Sequence, residues 1–196
     1  MSKEYDIVYI LKHMKLHPGM FIIKPSIFYL ESFLGGYMCS KPEDYEKLFF
    51  EDLNNFYNFY YITPTQMSIN YAHYLMMTTN DEEKAFTDFF ENLDKFYDDL
   101  KRAIPALQSF LNAVDSEFPD KNVSFDDNYK TFYNFNALFE QEKTFYGVEL
   151  LIDIYDQKTH YEPSVIGDFC NFVQNRTDLI NQMLKAKSNS DNIKGM

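Results

Sequence analysis

The chain has 196 residues, of which 45% are hydrophobic and 24% charged, a composition typical of one folded domain. Its 30 acidic residues outnumber the 18 lysines and arginines, which gives a formal net charge of −12. Because binding to phosphates needs a basic surface, this charge argues against direct binding to nucleic acids or to an anionic membrane. It favours a basic protein as partner, although solubility alone also explains a charge of this size.

The two cysteines, Cys39 and Cys170, are too few for a disulfide framework, and we expect both to be reduced and buried. The first residues include acids and lack the apolar core of a signal peptide. No apolar run approaches the roughly 18 residues that a membrane-spanning helix needs. These features predict a cytoplasmic protein.

Apolar residues recur at helical spacing through the first part of the chain. The spacing predicts a helix over 5–16 that ends at Pro18-Gly19, and a second helix that Ser26 caps. Ser40-Lys41-Pro42-Glu43 has the spacing of a capping box and predicts the start of a third. Thr63-Pro64-Thr65-Gln66 repeats this pattern before a fourth helix.

The clearest helical pattern covers 81–103. Asn80 is placed to cap it, and the acids at 81–83 suit the positive end of the helix dipole. We expect Pro105 to break or kink the helix, with a further helical segment continuing to Pro119. One apolar stripe is predicted to face the core, formed by Phe86, Phe89, Phe90, Leu93, Phe96, Tyr97 and Leu100.

The polar stretch 119–130 is the one predicted internal boundary. The residues at 131–156 fit either a helix or two strands, and their β-branched residues with Gly147 favour a β-hairpin. Ser164 is expected to cap a last helix that frays beyond Lys185, which leaves 187–196 as a flexible tail. The sequence thus predicts a mainly α fold, a single multi-helix domain over 1–186.

No pattern of residues indicates catalytic, metal-binding or cofactor-binding chemistry. His13 and His17 are four residues apart, as in a two-histidine metal site, but no acid lies between them and Pro18 ends the helix. The chain has no Gly-x-Ser-x-Gly nucleophile motif and no glycine-rich phosphate loop. We therefore predict no catalytic residue, no metal and no cofactor.

One motif is more specific than the rest. Pro18-Gly19-Met20-Phe21 precedes Ser26-Ile27, and then Leu30, Phe33-Leu34 and Gly36-Tyr37. Residues 10–97 with this motif resemble small bacterial proteins associated with toxin immunity. The Pro-Gly-Met run is also similar to one in gyrase B-like ATPases, but the nucleotide loop of that family is absent. By itself the motif predicts a turn whose Met20, Phe21 and Ile22 fill the core, with Gly36 allowing close packing.

The resemblance and the charge together predict a non-enzymatic immunity protein that occludes a basic toxin. Its expected contacts are the acidic clusters Asp81-Glu82-Glu83, Asp98-Asp99 and Asp126-Asp127. Two alternatives stay open: an acidic mimic of nucleic acid that inhibits a DNA-binding defence enzyme, and an enzyme with an unrecognised site. The oligomeric state does not follow from the sequence.

Overall fold

The fold is built from α-helices, and the prediction of a mainly α protein is confirmed. The computed structural model describes residues 6–40, 42–61, 70–124 and 165–192, and the described residues contain no β-strand. A lone antiparallel bridge joins Ser124 to Val165. The helices are α1 (Ile7–Leu16), a 3₁₀ turn (Pro18–Met20), α2 (Ile27–Met38), α3 (Asp44–Tyr60), α4 (Tyr71–Thr79), α5 (Glu82–Glu117) and α6 (Ile166–Asn192).

The first two helices lie close to their predicted positions. Asp6 caps α1, because its carboxylate accepts a hydrogen bond of 2.8 Å from the backbone N–H of Tyr9. Ser26 occupies the N-cap position of α2 as predicted, but its hydroxyl makes no capping bond. That hydroxyl donates instead to Glu82 at the start of α5, at 2.6 Å.

The capping box of α3 is formed by a different pair from the one expected. Glu43 and Glu46 cap each other's backbone N–H groups, whereas the Ser40 hydroxyl donates to the carbonyl of Tyr37. Asn70 caps α4 through a 3.0 Å bond from the N–H of His73. The predicted caps at 63–66 lie outside the described residues.

Helix α5 has a different cap from the predicted one, and of the two outcomes expected at Pro105 it excludes a break. Its cap is Asp81, which accepts bonds from the N–H groups of Glu83 and Lys84, while Asn80 ends α4 in the left-handed conformation. The helix does not break at Pro105 but continues to Glu117. Pro105 is tolerated because it lies on the exposed face of the helix, between the buried Ala103 and Ala106. The predicted stripe from Phe86 to Leu100 is buried throughout, as expected.

The chain divides into two compact units, one from 1–97 and 182–196 and the other from 98–181. The core of the first is aromatic, with Phe49 and Phe56 each in edge-on contact with Phe96. In the second unit Phe110 meets Phe169 edge-on, at 5.8 Å between ring centroids. Among the described residues, aromatic side chains thus form much of the core of the first unit and contribute to that of the second.

The C-terminal helix α6 extends beyond Lys185, where we expected it to fray. Two contacts explain why it continues. Lys12 donates a hydrogen bond to the carbonyl of Ser190, and Lys187 lies over the ring of Tyr97 at 5.4 Å. The predicted hairpin at 131–156 lies outside the described residues. Of the predicted boundary at 119–130, residues 125–130 also lie outside them. Both stay predictions.

Candidate partner-binding surface

The acidic cluster at the start of α5 is largely engaged within the molecule. Asp81 caps the helix, and Glu82 accepts a bond from Ser26 and pairs with Lys24 at 3.1 Å. The hydrogen bonds from Ser26 and Lys24 hold the pKa of Glu82 below its usual value. Glu83 is exposed and points to solvent. Of the three acids, Glu83 is therefore the best placed for a partner.

The second cluster contains one exposed and one buried acid. Asp98 is mostly exposed and pairs with Lys101 at 2.9 Å, one helical turn away. Asp99 is buried and forms an ion pair with Arg102. Asp99 therefore stabilises the helix and does not offer its carboxylate at the surface. Asp126 and Asp127 lie outside the described residues.

Exposed apolar side chains surround the turn formed by the Pro-Gly-Met motif. Leu16, Met20 and Ile23 are 59%, 74% and 85% exposed, whereas Ile22 between them is buried. The prediction that Met20 fills the core is therefore wrong, and that for Ile22 is confirmed. The reason is local: the N–H of Ile22 donates to the carbonyl of Pro18 at 2.9 Å, which turns Ile22 inward. We call Leu16, Met20 and Ile23 the turn patch.

Other parts of the motif hold the fold together. Ile27, Leu30 and Leu34 are buried, and Phe33 contacts Phe21 edge-on at 6.2 Å. The expected close packing at Gly36 is not seen, because no described atom lies within 4 Å of where its Cβ would stand. The motif therefore combines a structural helix, α2, with an exposed turn patch.

A buried carboxylate, which the sequence did not single out, connects three helices of the first unit. Glu46 of α3 is fully buried and accepts hydrogen bonds from the N–H of Ile7 and the hydroxyl of Tyr37. Its second oxygen accepts from the N–H of Glu43 at 2.6 Å. These bonds hold the start of α1 and the end of α2 against α3, at the ends of the two helices that lie away from the Pro-Gly-Met turn.

Two tyrosines near Glu46 are held in their protonated form. Burial raises the pKa of Tyr37, and the hydrogen bond and negative charge of Glu46 raise it further. Burial also raises the pKa of Tyr45, whose hydroxyl donates to Asp6 at 3.2 Å. Neither tyrosine can act as a base near neutral pH, which agrees with a structural role for this cluster.

A groove of about 320 Å³ lies between α1, α5 and α6 in the first unit. Its charged groups come from all three helices, and Lys15 pairs with Asp94 at 2.8 Å. The groove shares Leu16 with the turn patch. It is lined by Val8, Leu11, Lys12, Lys15, Leu16, Phe90, Leu93, Asp94, Tyr97 and Lys187.

The remaining sequence candidates for chemistry are not brought together. Within the described ranges no three His, Cys, Asp or Glu side chains converge as metal ligands. His13 packs on the ring of Tyr9 at 4.1 Å, and His17 lies past the end of α1.

The two cysteines differ in burial. Cys39 is exposed, contrary to expectation, because it follows the last turn of α2. Cys170 is partly buried, which raises the pKa of its thiol. None of the helices described is long and apolar enough to cross a membrane.

No protein-family model, curated protein or solved structure matches the chain. The resemblance to toxin-immunity proteins therefore stays a prediction. It rests on the motif residues alone, and the functional argument depends on the surface of this molecule.

Sequence reasoning missed the turn patch and the groove. For the patch there was a signal: Met20 and Ile23 are apolar but belong to no helical stripe. For the groove, Lys12 and Lys15 share a helical face with Val8 and Leu11, which is visible in the sequence. Asp94 and Lys187 are brought to that face by the tertiary fold, and no local sequence pattern indicates this.

Proposed function

We propose that this protein is a non-enzymatic binding protein of the immunity type, which neutralises a toxin by covering its active site. The observation that carries the proposal is the turn patch. Single exposed apolar side chains are common, but Leu16, Met20 and Ile23 occur within one short turn region. Such a concentration is typical of the apolar centre of a protein interface.

The position of the patch supports this role. It lies between the end of α1 and the start of α2, where the N–H of Ile22 bonds to the carbonyl of Pro18 and the hydroxyl of Ser26 donates to Glu82. Lys24, in the same connection, is tied to the start of α5 through Glu82. A surface that is already ordered before binding loses less conformational entropy when a partner docks.

The net charge complements the apolar patch. At −12 the protein attracts a basic partner over a distance and speeds association at low salt, while the apolar contact supplies the affinity. Exposed acids such as Glu83 and Asp98 contribute to this field. A basic toxin, for example a nuclease, fits both features.

The proposal is tested by protection of growing cells. The chain is co-expressed with each neighbouring gene product that arrests growth when expressed alone, and growth is measured. A Met20→Ser/Ile23→Ser variant removes most of the turn patch, and Met77→Ser, at an exposed methionine on α4, is the matched control. We expect protection by the unaltered chain and by the control, and loss of protection with the double variant.

Two results would contradict the proposal in different ways. Failure of the unaltered chain to protect would reject the immunity function. Full protection by the Met20→Ser/Ile23→Ser variant would reject the turn patch as the contact surface. Circular dichroism of each purified variant shows whether the helices have been retained.

A further inference from the structure

The groove between α1, α5 and α6 has the size and lining of a site for a small molecule. Its volume of about 320 Å³ lies at the lower end of the range of ligand pockets, roughly 300–1,000 Å³. Apolar side chains from α1 and α5 form most of the lining, including Val8, Leu16 and Phe90. The charged groups are Lys12, Lys15, Lys187 and Asp94.

The charge of this lining is opposite to that of the whole protein. Three lysines and one aspartate line the groove, in a chain whose net charge is −12. A groove with apolar walls concentrates the field of the charges at its edge. Its local chemistry therefore suits an anion with an apolar body.

Asp94 shows that a carboxylate can reach these lysines. One of its oxygens lies 2.8 Å from Nζ of Lys15, and the other lies 3.9 Å from Nζ of Lys187. Lys187 is also held over the ring of Tyr97, and Lys12 is fixed by the carbonyl of Ser190. The ammonium groups are thus ordered around the groove before any ligand arrives.

We propose that this groove binds a small amphipathic monocarboxylate. The carboxylate of the ligand lies among the ammonium groups of Lys12, Lys15 and Lys187. Its aliphatic chain runs along Leu16 and the apolar lining. The site needs no protein partner, so it does not rest on the proposed immunity function, but it shares Leu16 with the turn patch.

The first experiment titrates the full chain with octanoate by isothermal calorimetry, next to acetate and octylamine. Octanoate carries both recognition elements, acetate lacks the apolar chain, and octylamine reverses the charge. For a ligand of this size we expect a Kd on the order of 1 mM. We expect clearly weaker binding of acetate and octylamine. Absence of octanoate binding, or equal binding of either comparison compound, would overturn the proposal.

The second experiment locates the site with charge variants. Asp94→Asn removes the resident carboxylate and should tighten octanoate binding about fivefold, while Lys15→Met should weaken it about fivefold. The matched controls are Asp98→Asn and Lys47→Met, because these side chains are exposed and paired in similar ion pairs elsewhere. Two results would reject the groove as the site. The control variants could change octanoate binding as much as the groove variants do, or Asp94→Asn and Lys15→Met could fail to change it in opposite directions.

Discussion

Ile22 and Ile23 are neighbours in sequence, yet Ile22 is 8% exposed and Ile23 is 85% exposed. The hydrogen bond from the N–H of Ile22 to the carbonyl of Pro18 closes the turn and directs the two side chains differently. One isoleucine therefore anchors the connection between α1 and α2 in the core. The other belongs to the surface that we assign to a partner.

This difference gives a direct prediction for stability. Ile22→Ala removes buried methyl and methylene groups and should lower the free energy of unfolding by about 2–4 kcal/mol. Ile23→Ala should change it by less than about 0.5 kcal/mol, because its side chain is already in water. Urea denaturation of both variants measures the two values. Equal losses of unfolding free energy in the two variants would contradict the burial of Ile22 and the exposure of Ile23.

The buried hydrogen bonds of Glu46 give a second prediction. Glu46→Ala leaves the N–H groups of Ile7 and Glu43 and the hydroxyl of Tyr37 without this acceptor. An unsatisfied buried donor costs about 1–3 kcal/mol; because only the bond from Ile7 is buried and the other two are part-buried, we expect a total loss of about 2–3 kcal/mol. Tyr37→Phe should cost less, and the double variant should cost less than the sum of the single variants. Additive losses in denaturation experiments would mean that the two side chains do not interact.

A third prediction concerns alkaline pH. Burial raises the pKa values of Tyr57 and Tyr71 above the value of about 10 that tyrosine has in an unfolded chain. Above pH 10 the unfolded chain loses phenolic protons that the folded protein keeps. The free energy of unfolding should therefore be unaffected by these groups below pH 10 and should fall as the pH rises beyond it.

Urea denaturation between pH 8 and pH 11 measures this dependence, and absorbance at 295 nm follows the ionisation of tyrosine. Tyr57→Phe should make the alkaline decline shallower, because it removes one of the shifted groups. A stability that stays constant up to pH 11 would be inconsistent with buried, protonated tyrosines.

Helix α5 shows how much of the fold the sequence could predict. Its apolar stripe and its position follow from local spacing, and both are confirmed. The sequence predicts Asn80 as its cap, whereas the structure has Asp81, and either residue type can serve as an N-cap. Asn80 is not available for this role because it ends α4. The sequence also predicts a helical segment beyond Pro105, but the spacing leaves open whether the proline breaks or only kinks the helix, because that depends on how the surrounding residues pack.

Pro105 allows a fourth prediction. A proline inside a helix lacks the N–H that would bond to the preceding turn and costs roughly 3 kcal/mol relative to alanine in an isolated helix. Pro105 is exposed, so Pro105→Ala should disturb no core contact. We expect a gain of about 1–3 kcal/mol in the free energy of unfolding. A lower unfolding midpoint for Pro105→Ala would show that the proline is needed for the path of α5.

The proposed binding surface is less predictable from the sequence than the fold, for a physical reason. Acidic residues such as Asp98 and Asp99 look alike in sequence, but Asp99 is buried and paired with Arg102, whereas Asp98 is exposed. Likewise, the partners of Glu46 come from α1, from α2 and from the N-cap of its own helix, α3. Which polar groups remain at the surface is decided by tertiary contacts that local spacing does not contain.

The most direct test of the central claim is a comparison of captured partners. The tagged protein, its Met20→Ser/Ile23→Ser variant and the Met77→Ser control are each used to capture proteins from the native cell lysate at low and high salt. Mass spectrometry then quantifies what each retains. We predict that one basic protein is retained by the unaltered chain and the control, with less capture at high salt, and is lost from the double variant. Equal capture by all three would contradict the assignment of the turn patch as the binding surface.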